Sequence, residues 1–132
     1  MEVEISSCVI DLIHREAAIA APWEACGLLF GDGAVRRASV TANVAADPAR
    51  YFEIDPAALI AALRSERQGG ERVMGYWHSH PSGDAAPSAT DAAMAAPDGR
   101  LWLIVGGGVL TAWRAGERGV HGRFGAVEIK LV

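Results

Sequence analysis

The sequence predicts one α/β domain, a twisted mixed β-sheet flanked by helices. Three observations carry this reading. Capped helical patterns alternate with short apolar runs of strand length, the order expected when helices cover a sheet. No linker, internal repeat or low-complexity tract interrupts them. Hydrophobic residues make up 51% and charged residues 21% of the 132 positions, a balance that suits one buried core and neither a disordered nor a membranous chain.

Each element has a local reason. Ile5 and Ile10 flank a possible Ser6 cap as a hydrophobic staple, opening a helix that runs to about residue 20 and ends at Pro22. Cys26 to Phe30 reads as a strand, and Gly31-Asp32-Gly33 as the turn into a second strand from Val35 to Val44. Tyr51 to Ile54 reads as a short strand. Asp55-Pro56 then gives an N-cap followed by proline at the first helical position; Leu59, Ile60 and Leu63 share one face, and Gly69-Gly70 closes the helix. Val73 to Trp77 is an apolar run suited to a buried strand, Pro81 stops it, and a helix is expected from about 88 to 96. Leu101 to Val105, Val109 to Trp113 and Val127 to Val132 read as the later strands.

Charge and composition exclude several classes of function. Twelve Lys+Arg against sixteen Asp+Glu give a net −4, and no basic run appears, which argues against a nucleic-acid partner. The opening Met1-Glu2-Val3-Glu4 lacks the basic-then-apolar order of a signal peptide. No apolar run approaches the ~20 residues of a membrane span, so no membrane contact is expected. Two cysteines, Cys8 and Cys26, do not make a disulfide scaffold. The expected location is the cytoplasm; oligomeric state has no signature in the chain.

The chemistry concentrates in fourteen residues. His78 and His80 are one residue apart at the end of an expected strand, where side chains at i and i+2 share a face and can converge on one ion. Ser88-x-x-Asp91 follows where the next helix should begin, which places Asp91 on its first turn. Ser-x-x-Asp is also a helix-capping signature, but with His-x-His just upstream the set reads as a metal site. A catalytic zinc centre uses three protein ligands and leaves a fourth position to water; His78, His80 and Asp91 supply that set.

His78-x-His80, seven residues, Ser88, two residues and Asp91 resemble the signature of the JAMM (MPN-plus, JAB) metallopeptidases. Upstream, Pro22-Trp23-Glu24-Ala25-Cys26-Gly27 through Gly31 resembles a stretch of the short bacterial members, so the likeness spans nearly the whole chain. The resemblance implies a cytidine-deaminase-like α/β sandwich and a Zn²⁺ cofactor. It also places Glu24 as general base and then general acid: on zinc, the pKa of a bound water falls to about 7, and Glu24 takes its proton and passes it to the leaving amine. Ser88 is implied as the hydroxyl that stabilises the oxyanion. The implied substrate is a ubiquitin-like or sulfur-carrier protein, cut after its C-terminal Gly-Gly at a linear peptide or a lysine isopeptide bond.

Three other readings compete. A RadC-like JAB domain, associated with DNA repair, shares the Pro-Ser-Gly-Asp run after His80, but typically shows His-Asn-His and a different N-terminal half. A nucleobase deaminase would need His-x-Glu and Pro-Cys-x-x-Cys, and neither is present. A metal-free MPN binding module would have lost ligand positions that this chain keeps. Among the remaining residues, His14 and His121 are expected on the surface or in packing, and Asp84 in a turn. Cys26 is expected to be a small buried residue, with Trp77 packing on the face opposite His78.

Overall fold

The computed structural model describes residues 1–132. Its elements in chain order are β1 (Glu2–Ile5), α1 (Ser7–Ala20), β2 (Cys26–Asp32), β3 (Ala34–Ala38), α2 (Pro56–Arg67), β4 (Val73–Ser79), α3 (Ala89–Met94), β5 (Leu101–Gly106), β6 (Val109–Val120) and β7 (Phe124–Leu131). The strands pair in the order β1-β3-β2-β4-β5-β6-β7, and β7 returns to pair with β1, so the sheet closes on itself. It is mixed, as expected: β1 runs parallel to β3 and β7, β4 runs parallel to β5, and the other pairs are antiparallel. No helix is long and apolar enough to cross a membrane.

Alternation along the strands builds two apolar layers. Leu29, Trp77, Leu101, Leu103 and Val105 pack with Val9 and Ile13 of α1. Leu28, Phe30, Val73, Trp102 and Phe124 pack with Leu59 and Leu63 of α2. Burying a large apolar side chain is worth about 1.5–3 kcal/mol, so these two layers are what hold the sheet between its helices. Two glycines permit close strand approach. A Cβ on Gly27 would strike the Ser39 carbonyl and the Trp77 indole nitrogen, and one on Gly75 would strike the backbone of Leu101.

Several expectations change. The first strand is additional: Val3 and Ile5 are buried and Glu2 is exposed, an alternation of only four residues. Ser6 occupies the N-cap of α1, but its hydroxyl makes no cap bond and faces Cys8 Sγ at 3.1 Å instead. In α2 Asp55 caps as expected, accepting the Ala57 N–H at 3.0 Å. Ile60, however, is 52% exposed, because a residue next to Leu59 is turned about 100° from the inward stripe. The expected strands 35–44 and 51–54 reduce to β3 and two isolated bridges, Cys26 with Thr41 and Asn43 with Ile54. The Asn43 side chain takes the backbone groups a ladder would have used. It accepts from the N–H groups of Ala45 and Glu53 and donates to the carbonyls of Glu24 and Tyr51.

Candidate metal centre

Strand register brings the distant residues together. In the antiparallel β2–β4 pair, Cys26 faces His78. The pairing continues one step outward: Ser79 N–H donates to the Ala25 carbonyl at 3.0 Å, and Ala25 N–H donates to Ser79 Oγ at 2.8 Å. The next residues along are Glu24 and His80. A carboxylate 54 positions upstream of the first histidine thus reaches the site by a simple ladder.

Side-chain alternation on β4 decides what faces the centre. Trp77 points into the α1 layer, fully buried, and its indole N–H donates to the Ser39 carbonyl at 2.8 Å, so it packs behind the site as expected. His78 points the other way. It is fully buried, stacked on Phe52 with centroids 4.2 Å apart and planes 19° apart, with Trp102 edge-on at 5.7 Å. Ser88 caps α3: its hydroxyl oxygen accepts the Asp91 N–H, and its own N–H donates to Asp91 Oδ2, both at 3.0 Å. This reciprocal capping box aims Asp91 from the first helical turn. The capping and metal-site readings of Ser88-x-x-Asp91 are therefore compatible, since one carboxylate meets both sets of partners.

The donor atoms converge. His78 Nε2 and His80 Nε2 are 3.0 Å apart. His78 Nε2 lies 3.2 Å from Asp91 Oδ1, and His80 Nε2 lies 3.1 Å from Asp91 Oδ2. A tetrahedral zinc with ligands at ~2.0–2.1 Å has ligand–ligand edges of about 3.3 Å, so these spacings fit such an ion. His80 Nδ1 sits 2.6 Å from the Asp84 carbonyl; a carbonyl only accepts, so Nδ1 carries a proton and Nε2 is the nitrogen that would offer a lone pair to an ion. That backbone partner is the kind of support metal-ligating histidines usually have. Glu24, His78 and His80 also form a group whose ligand atoms lie within 4.8 Å of one another, and the buried Glu24 Oε1 has no hydrogen-bond partner. The residues present fit a divalent ion of zinc's preferences for nitrogen and oxygen ligands.

Burial and charge set the protonation of each group. Burial of Glu24, 5% exposed, pushes its carboxyl from 4.5 up to about 7, with Asp91 adding to the rise and His80 opposing it. Burial would also raise Asp91, but the hydrogen bonds from His78, His80 and the Ser88 backbone outweigh it and hold the carboxyl far below its ordinary range. Complete burial lowers His78 despite Asp91. Burial would lower His80 too, yet Asp91 and the Asp84 carbonyl raise it. Cys26 is buried and its thiol is pushed up, consistent with a packing residue.

Glu24, His80 and Ser88 line one cleft of about 320 Å³, together with Arg50, Pro81, Asp84 and Pro87. Residues not foreseen here are Phe52, Asn43 and the Asp84 carbonyl. The Asp84 turn was legible, but neither its carbonyl's role nor the stack of Phe52 on His78 leaves a local sequence signal. His121 contacts the Pro87 carbonyl at 3.1 Å, and His14 lines a neighbouring hollow; neither is among the converging donors.

Fold and site together define a mixed α/β protein with a buried pair of histidines and carboxylates arranged for a divalent metal. The chain belongs to the JAB (JAMM) family: the family of prokaryotic homologs of the JAB domain matches residues 6–116. It is 37% identical over 99 residues to the desampylase of Haloferax volcanii, covering 73% of this chain and 71% of that one. It is 38% identical over 71 residues to a probable TtuB-protein conjugate cleaving protease of Thermus thermophilus, covering 54% of this chain and 48% of that one. A solution structure of a Desulfitobacterium hafniense protein superposes with TM-score 0.81 at 28% identity, over 98% of this chain and 92% of that one. The crystal structure of a JAB1/MPN domain protein from Archaeoglobus fulgidus gives TM-score 0.60 at 20% identity, over 98% and 97%, a likeness of fold alone.

Proposed function

We propose that residues 1–132 form a single zinc metallopeptidase domain of the cytidine-deaminase-like sandwich type. On this reading it acts in the cytoplasm on a ubiquitin-like or sulfur-carrier protein and hydrolyses the bond after its C-terminal Gly-Gly. The observation that carries the reading is the triangle of His78 Nε2, His80 Nε2 and the Asp91 carboxylate at 3.0–3.2 Å, with Glu24 beside it. The names of the Haloferax and Thermus relatives support the substrate class.

His78, His80 and Asp91 would hold the ion. When bound, zinc supplies Lewis acidity, polarising a carbonyl and lowering the proton affinity of water toward a pKa of about 7. Glu24 performs the proton transfers: it takes a proton from the attacking water and delivers it to the leaving nitrogen, which departs as a neutral amine. Burial favours the protonated form of the Glu24 carboxyl, which helps it hold the proton between the two transfers. The Ser88 oxygen accepts the Asp91 N–H, so its own O–H proton is free to point at the substrate carbonyl oxygen as negative charge grows there. A Gly-Gly tail brings no side-chain bulk to the cleft, which lets its backbone approach closely.

The test couples metal to activity. Purified protein should hold one equivalent of zinc, and a chelator should abolish cleavage of a Gly-Gly-linked fusion until zinc is restored. Full cleavage in the metal-stripped protein would overturn the reading.

A further inference from the structure

Resting on the peptidase reading above, we propose that Arg50 is a specificity-determining residue. It recognises the free α-carboxylate of a single amino acid leaving from the Gly-Gly tail, so the enzyme favours a one-residue extension ending in a free carboxylate over the same extension blocked as its amide.

Arg50 is the one Arg or Lys among the residues lining the cleft that also contains Glu24, His80 and Ser88. The other charges there are the carboxyl groups of Glu24 and Asp84, and Asp84 Oδ1 already accepts the Ala86 N–H at 3.0 Å. An anionic leaving group entering this cleft meets no other Arg or Lys side chain.

The position of Arg50 is tied to that of Glu24. Glu24 N–H donates to the Pro48 carbonyl at 2.8 Å, and Arg50 N–H donates to the Asp47 carbonyl at 3.1 Å. Asn43 Nδ2 bridges the same two stretches, donating to the Glu24 carbonyl at 3.0 Å and the Tyr51 carbonyl at 3.2 Å. The loop that carries Arg50 is therefore fastened to the backbone of the residue assigned to the proton transfer. Its side chain is 84% exposed and pairs only with Asp47, at 3.4 Å. Exposed pairs of this kind are worth about 0–1 kcal/mol, so the guanidinium can turn into the cleft at little cost.

Chemistry fixes which part of the substrate lies beside Glu24. In the hydrolysis one water is consumed: its hydroxyl joins the glycine carbonyl carbon, the C–N bond breaks, and its proton passes through Glu24 to the nitrogen. The leaving amine must therefore adjoin Glu24, and the Arg50 loop, fastened to the Glu24 backbone, lines the same cleft. In a one-residue extension the α-carboxylate is one carbon removed from the leaving amine, within reach of a guanidinium that can bind it with two parallel N–H bonds. In a lysine isopeptide the leaving amine is at the end of the side chain, and the lysine α-carboxyl is locked in a peptide bond.

The test uses zinc-loaded enzyme and a Gly-Gly-tailed ubiquitin-fold protein in three forms: extended by one alanine with a free carboxylate, by the same alanine as its amide, or joined to a lysine side chain. Wild type should favour the acid over the amide by about tenfold in kcat/KM, the size expected of a partly exposed charged hydrogen bond, with the ratio shrinking in high salt. Arg50→Ala should bring the acid-to-amide ratio close to one, and Arg50→Lys should retain part of the preference. Equal cleavage of acid and amide by wild type, or a preference that survives Arg50→Ala, would overturn the proposal. If wild type cleaves none of the three, the peptidase reading fails, and this one with it.

Discussion

Replacing Glu24 by Gln in the metal-free protein tests the electrostatics of the site apart from its chemistry. Glu24 is 5% exposed, Oε1 lacks a partner, and burial lifts its carboxyl from 4.5 to about 7. A raised acid destabilises the fold once it must ionise. Below pH 4.5 both folded and unfolded chains hold the proton and there is no penalty. Between 4.5 and about 7 only the folded chain holds it, so stability falls as pH rises, and above about 7 the full penalty is present. The two pKa values correspond to a ceiling of about 3 kcal/mol. Glu24 lines an open cleft that water can enter, so about 2 kcal/mol is expected. Gln keeps the shape and cannot ionise. Urea denaturation with chelator present should therefore give nearly equal stabilities at pH 4.5, and a Gln variant about 2 kcal/mol more stable at pH 8. Subtracting wild type from variant at each pH largely cancels the titrations the two share. A difference that does not change with pH, or a wild type that gains on the variant as pH rises, would refute the reasoning.

The other substitutions separate binding, catalysis and packing. His78→Ala should lose zinc and cleavage together; a variant that keeps stoichiometric zinc by metal analysis and full activity contradicts the ligand assignment. Ser88→Ala should lower kcat by roughly 10²–10³ with KM little changed, as for other oxyanion donors, and cost about 1 kcal/mol in urea denaturation through the lost cap. Wild-type turnover in that variant would leave Ser88 as a cap alone. Gly27→Ala should destabilise by about 1–3 kcal/mol, because the new Cβ meets the Ser39 backbone as well as the buried Trp77 indole. An unchanged urea midpoint would contradict the close approach of Ser39 to Gly27.

Much of the site was legible because its signals are local. His78 lies on the strand that the Val73–Trp77 run announces and His80 just past its end, and Ser88-x-x-Asp91 writes its own helix start. Asp55-Pro56 announced α2 in the same way. The placement of Glu24 was not legible from spacing, since it depends on the Cys26–His78 register of strands far apart in sequence; the family resemblance supplied it. The closing strand β1 was hidden for a related reason. Its neighbours β3 and β7 are both parallel, so no hairpin turn marks either pairing. The stretches Val40 to Val44 and Tyr51 to Ile54 misled because their apolar residues suit strands, while backbone groups that would have extended a ladder bond to Asn43. Val40 and Val44 are left 49% and 44% exposed, so there the apolar alternation does not mark a buried face.

The most direct test of the central claim is the intact mass of a Gly-Gly-tailed ubiquitin-like protein with a short C-terminal extension, incubated with zinc-loaded enzyme and, in parallel, with Glu24→Gln. A product ending at Gly-Gly, formed by wild type and slowed about 10²–10⁴-fold in the variant, is the predicted result. An uncut substrate with one equivalent of zinc bound, or equal cleavage by both proteins, would contradict it.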